Sequence, residues 1–120
     1  MASSERRRRV NESIRHVLSE ALPTLKDPRI GFVTVTGVRA TTDLAEAKVY
    51  VSVLGTEKEQ KRTLEGLRAA HGVLQAYVAR ELRTRRTPVL SFEYDPAIER
   101  GVRLTKLIDD LAPDDSDAEP

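Results

Sequence analysis

Residues 57–83 read EKEQKRTLEGLRAAHGVLQAYVARELR, the longest helical run in the chain. Its apolar positions Leu64, Leu67, Leu74, Val78 and Leu82 recur at three-and-four spacing, which places side chains on one helical face. Inside the run stands Ala70-His71-Gly72. Glycine costs about 1 kcal/mol in a helix interior relative to alanine. Gly72 is therefore expected to bend the run or to let another backbone come close. Two helices joined at a fixed angle, with arginines gathered at the far end, point to a binding surface rather than a catalytic pocket.

Upstream of the run, Thr56-Glu57-Lys58-Glu59 fits a capping box, with Thr56 as N-cap and Glu59 reaching back. Strand two is read at Ala47–Leu54, where Val49, Val51 and Val53 alternate with Lys48, Tyr50 and Ser52. Strand one is read at about Ile30–Val38, with Val33 and Val35 opposite Thr34 and Thr36, after a turn at Lys26-Asp27-Pro28-Arg29. A Thr-Thr-Asp turn joins the two strands. The first helix is expected from Ser3 or Ser4, with Val10, Ile14, Val17, Leu18 and Ala21 on one face and Pro23 at or beyond its end. Downstream, Val89–Tyr94 reads as strand three, and Asp95-Pro96 opens a last helix running to about Leu111. The order is α-β-β-α-kink-α-β-α. The economical packing is a three-stranded sheet with helices on one face, an α+β domain over residues 1–111. Residues 112–120 are acidic, lack bulky apolar side chains and are expected to form a disordered tail.

The 120 residues allow one modest core. Cysteine is absent, which excludes disulfides and thiolate chemistry. No apolar stretch approaches a membrane span, and residues 1–6 lack a signal-peptide core, so the expected location is cytoplasmic. The net charge of +1 conceals an asymmetry. All 20 Lys and Arg lie in residues 1–108, whereas six of the 19 Asp and Glu lie in 109–119, leaving +7 on the body against −6 on the tail. A basic body suits a polyanion such as nucleic acid. Arginine outnumbers lysine 15 to 5, and its planar fork suits phosphates, although biased genomic composition is an alternative source of that ratio.

Taken together, the residues in this order resemble the ribosome-binding factor A family. The resemblance covers about Arg6 to Leu111. It is carried by Val10 and Ile14, Lys26-Asp27-Pro28-Arg29-Ile30-Gly31, Val33-Thr34-Val35-Thr36, Asp43-Leu44 with Ala47-Lys48-Val49-Tyr50-Val51-Ser52, Ala70-x-Gly72, and Arg86 with Pro88-x-Leu90-x-Phe92 and Asp95. It implies a type II K-homology-like fold in which the Ala-x-Gly break replaces the Gly-x-x-Gly loop of ordinary K-homology domains. The glycines here, at 31, 37, 55, 66, 72 and 101, never fall three apart. The resemblance further implies a non-catalytic role in small-subunit maturation and rRNA processing, through free small subunits and their rRNA, with most importance in the cold. It implies a ribosome-associated GTPase or an initiation factor as a further partner. A monomer is expected, with no cofactor and no metal. Gln75, Val89 and Ala97 depart from the family pattern, Gln75 standing where many relatives carry a basic residue.

On a continuous helix, Ala69, Gly72, Ala76 and Ala79 share an outward strip flanked by Arg68, Arg80 and Arg83, with Arg85 and Arg86 beyond. Small side chains admit a sugar–phosphate backbone while arginines grip phosphates. They equally admit a second helix, and both readings stay open. Arg6, Arg7, Arg8 and Arg9 form a second basic block, either a fraying arm that falls onto phosphates or a soluble helix start. Arg15 and Arg29 complete the candidate RNA contacts. His71 reads as an exposed kink residue. Neither histidine has a metal-ligand partner at suitable spacing, and no phosphate loop or nucleophile elbow is present. A protein-docking module and a general single-strand RNA binder remain the competing functions.

Overall fold

The computed structural model describes residues 3–83 and 85–97. Helix α1 spans Ser4–Ala21 and begins at Ser3, whose Oγ accepts the Arg6 N–H at 3.1 Å. A short 3-10 turn, Leu22–Thr24, follows. Strands β1 (Val33–Ala40) and β2 (Glu46–Val53) pair antiparallel, and β3 (Val89–Tyr94) pairs parallel to β2, so the sheet order is β1-β2-β3. Helices α2 (Glu57–Ala69) and α3 (His71–Leu82) form the crossover between the parallel strands. The chain turns helical again at Pro96–Ala97, where Asp95 Oδ1 accepts the Ala97 N–H at 2.8 Å. The remainder of the expected last helix, and the acidic tail, lie outside the described residues.

The core is one layer between helices and sheet. Ile14, Val17 and Leu18 of α1, Leu67 of α2, and Leu74 and Val78 of α3 are buried with Val35, Val49, Val51, Val53, Leu90 and Phe92 of the strands. The opposite sheet face carries Thr34, Lys48, Tyr50, Ser52, Ser91 and Glu93, all exposed or half-buried. This is the expected α+β arrangement with its helices on one side.

Strand one departs from the reading in both position and phase. It begins at Val33, because Ile30 is held in a turn by its N–H to the Asp27 carbonyl at 3.0 Å. A β-bulge at Thr36 sets Val35 opposite Val51 but Gly37 opposite Tyr50. The extra residue moves the inward side chains from Val33 and Val35 to Val38 and Ala40. Thr36 Oγ1 instead donates to Asp95 Oδ2 at 2.7 Å.

The turn before β1 is clamped to α2. Thr63, buried on α2, donates from Oγ1 to the Arg29 carbonyl at 3.3 Å and accepts the Gly31 N–H at 3.4 Å. Gly66 lies beneath the same turn, where a Cβ would stand 2.7 Å from Ile30 Cγ1. The capping box at Thr56 is complete: Thr56 Oγ1 accepts from Glu59 N at 3.2 Å, and Glu59 Oε1 accepts from Thr56 N at 2.7 Å.

Candidate nucleic-acid interface

The break between α2 and α3 falls at Ala70. Its φ of −88° and ψ of 9° lie in the bridge region, and its N–H is shared between the Gly66 and Leu67 carbonyls at 3.0 and 3.1 Å. One residue thus closes α2 and opens α3. That conformation is open to any residue, so the break does not need Gly72. Gly72 sits in the first turn of α3 without a positive φ, and a Cβ there would meet nothing within 4 Å. The expectation that Gly72 bends the run is corrected: Ala70 is the hinge, and Gly72 leaves an open surface beside it.

What holds the bend is a row of side chains along the outer edge of β3. Arg68 Nη2 donates to the Phe92 carbonyl at 2.9 Å. His71 Nε2 lies 2.9 Å from the Leu90 carbonyl, and since a carbonyl only accepts, Nε2 carries the proton. Gln75 accepts the Leu90 N–H on Oε1 at 2.9 Å and donates from Nε2 to the Pro88 carbonyl at 2.8 Å. Positions 68, 71 and 75 follow helical spacing across the bend, so a single face of the α2–α3 pair stands in for a fourth strand. His71 is therefore a half-buried tether rather than an exposed kink residue. Gln75 gains its role from this edge: a basic side chain has no acceptor for the Leu90 N–H. An interior polar residue next to the leucine stripe was the available sequence signal for it.

On the outward side, Ala69, Gly72 and Ala76 are exposed and Ala79 is half-buried, with Val73 also open to solvent. No described residue packs against the Gly72 position, so at its centre the strip is not an internal helix–helix contact. Arg80 lies over the Tyr77 ring, 5.1 Å from its centroid. Arg83 ends α3 in the left-handed region at φ 54°, with its N–H on the Ala79 carbonyl at 3.2 Å. Arg85 and Arg86 follow, both exposed.

The candidate arginines do not form one patch. Residues 6–9 are helical, not a frayed arm. Arg6 and Arg9 line an open groove between α1 and the end of α3, with Val10, Ser13, Glu81 and Leu82. This brings them to the end of α3 that carries Arg80 and Arg83. Arg7 is half-buried. Arg8 pairs with Glu5 at 3.1 Å, and Arg15 with Glu12 at 3.8 Å, on exposed surface. Arg29 is engaged at the far turn: its Nη2 donates to Asp27 Oδ2 at 2.7 Å, and its Nε and backbone N–H also reach that carboxylate. The Arg29 side-chain hydrogen bond, followed by its backbone N–H, lowers the Asp27 pKa from 3.8 to about 2. Arg68 serves the β3 edge. The candidate arginines without a described structural anchor to backbone or carboxylate that gather at the C-terminal end of α3 are thus Arg6, Arg9, Arg80 and Arg83. Among the described residues, no group of three or more His, Asp or Glu is arranged to hold a metal ion, and no helix is long and apolar enough to cross a membrane.

Comparison with known proteins finds one family over most of the chain. The family model for ribosome-binding factor A matches residues 6–108. A ribosome-binding factor A from Halorhodospira halophila is 46% identical over 117 residues, covering 96% of this chain and 93% of the relative. The solution structure of a Thermotoga maritima protein described as a putative ribosome-binding factor A superposes with a TM-score of 0.68 at 38% identity, covering 78% of this chain and 90% of that one. A Thermus thermophilus ribosome-binding factor A model, fitted into a cryo-electron-microscopy map of a 30S complex, superposes with a TM-score of 0.61 at 34% identity, covering 72% and 91%.

Proposed function

This chain belongs to the ribosome-binding factor A family, and from that premise we propose that it binds the free small ribosomal subunit through the surface around the α2–α3 bend. The observation that carries the reading is the pairing of an open small-residue strip, Ala69–Gly72–Ala76, with Arg80 and Arg83 at the same helix pair. A phosphate backbone approaches closely where side chains are no larger than a methyl group, and flanking guanidinium groups bind its oxygens. The Thermus thermophilus relative fitted into a 30S complex supports the same partner for this chain. Recognition then rests on phosphates and rRNA shape. The chain is, in this reading, a non-catalytic factor that assists late maturation and rRNA processing in the cytoplasm, most needed in the cold, as its resemblance to the family implies. In this reading residues 1–111 form the RNA-binding unit, the protein acts as a monomer, and a GTPase or initiation factor displaces it.

Sedimentation of cell extract tests the proposal. The protein is expected with free small subunits and not with complete ribosomes. Equal binding to unrelated single-stranded RNA would favour a general RNA binder. Binding to small subunits that is indifferent to charge reversal at Arg80 and Arg83, together with none to protein-free rRNA, would favour a protein-docking module.

A further inference from the structure

The open groove between α1 and the end of α3, of about 990 Å³, has walls of opposite charge. Arg6 and Arg9 project from α1, and Glu81 stands on α3. Helical phase divides the arginines of α1. Arg8 and Arg15 lie on another face and pair with Glu5 at 3.1 Å and Glu12 at 3.8 Å. That second pair also occupies Glu12, which borders the groove. Arg6 and Arg9 have no carboxylate or carbonyl partner for their side chains among the described residues. Arg6 stands in the first turn of α1, where a cation opposes the positive end of the helix macrodipole. The fold gains nothing visible from it there.

The small-residue strip leads to this groove. Successive residues of a helix turn by about 100°. Around α3 the order is therefore Gly72 and Ala76, then Arg80, then Tyr77, then Glu81 at the groove. Arg80, held over the Tyr77 ring, occupies the shoulder between strip and groove.

We propose that the rRNA strand seated on the strip continues over Arg80 into the α1–α3 groove, where Arg6 and Arg9 each bind a further phosphate. The proposal rests on the reading of the bend as an rRNA surface and extends that surface to a second helix. Residues three apart on a helix are neighbours, with Cβ atoms about 5–6 Å apart, so both guanidinium forks serve the same strand. Half-buried Val10 and Leu82 form an apolar floor beneath it. Glu81 opposes the phosphates from the α3 wall, and the groove holds the strand less tightly than its arginines alone would.

The test uses the full chain, purified free small subunits and protein-free small-subunit rRNA. Arg6→Glu/Arg9→Glu is compared with the charge-matched control Arg8→Glu/Arg15→Glu. The groove variant is expected to flatten the log–log salt slope by about 1.4–1.8, for two lost phosphate contacts, while the control stays near the wild-type slope. Glutamate at position 6 suits the positive helix end, so unfolding does not account for that loss. A groove variant whose slope matches the control overturns the proposal. If Arg80→Glu/Arg83→Glu still flattens the slope in that case, the reading of the bend stands. Weakened binding to small subunits with unchanged binding to protein-free rRNA also overturns the proposal, and would assign the groove to an acidic protein segment. A gain of affinity provides a second measurement that a folding defect cannot mimic. Glu81→Gln is expected to tighten binding to both probes about threefold, as one repelling charge at roughly 7 Å in water is removed. Unchanged or weaker binding overturns the proposal.

Discussion

Gln75 and Leu90 meet at the outer edge of the sheet, where the Leu90 N–H donates to Gln75 Oε1 at 2.9 Å. With Gln75 Nε2 on the Pro88 carbonyl, His71 on the Leu90 carbonyl and Arg68 on the Phe92 carbonyl, helix side chains occupy the positions of a missing strand. This edge fixes the angle of α3 and so the outward strip. Gln75→Leu leaves the buried-side Leu90 N–H and Pro88 carbonyl without these partners. It is expected to destabilise the fold by about 1–3 kcal/mol in urea unfolding. A loss below about 0.3 kcal/mol would show that solvent replaces Gln75 freely.

Gly72 and Arg83 are positions where stability and binding are expected to separate. Gly72→Ala adds a methyl group to open space in a helical turn. It should stabilise the free protein by about 0.5–1 kcal/mol while weakening small-subunit binding by blocking close approach. Arg83→Gly relieves a left-handed arginine and should likewise stabilise by about 1 kcal/mol while lowering affinity. Thermal unfolding and a small-subunit pelleting assay check both. Unchanged affinity of Gly72→Ala would make the glycine incidental.

Gly66 is the opposite case. A Cβ there meets Ile30 Cγ1 at 2.7 Å and Arg29 Cβ at 3.3 Å. Gly66→Ala is expected to cost about 1–3 kcal/mol through displacement of the clamped turn, despite alanine's better helix propensity. Stabilisation on urea unfolding would contradict the close packing of that turn on α2.

The Asp27–Arg29 pair sets an acid dependence. The folded carboxyl titrates at about 2, below its ordinary 3.8, first because of the Arg29 side-chain hydrogen bond. A depressed folded pKa contributes stability that is complete above the unfolded value and is lost as pH falls through the folded one. The difference in unfolding free energy between the wild type and Asp27→Asn should therefore be flat above about pH 5 and shrink between about pH 4 and pH 2. A difference that stays constant down to pH 2 would show that the carboxylate charge contributes nothing.

The elements with strong local signals were legible in the sequence. The capping box, the valine alternation of β2, strand β3 and the Ser3 start each rest on neighbouring residues, and each forms as read. The break at Ala70-His71-Gly72 was legible too, but the sequence left open whether Gly72 bends the run or admits a close approach, and the bent conformation belongs to Ala70. What escaped depended on distant partners. The bulge at Thr36 shows in sequence only as a shift of apolar positions from 33 and 35 to 38 and 40. The edge cap by Arg68, His71 and Gln75 requires knowing that β3 is an edge strand. The candidate arginines read from the sequence included Arg29 and Arg68, but these are engaged by Asp27 and by the Phe92 carbonyl, which no spacing rule reveals.

The central claim, that the bend holds small-subunit rRNA by charge and contour, is tested most directly by the salt dependence of binding to purified free small subunits. Wild-type affinity should fall steeply with salt. The double variant Arg80→Glu/Arg83→Glu should flatten the log–log slope by about 1.4–1.8, at roughly 0.7–0.9 per lost phosphate contact. An identical slope in the two proteins would contradict the account.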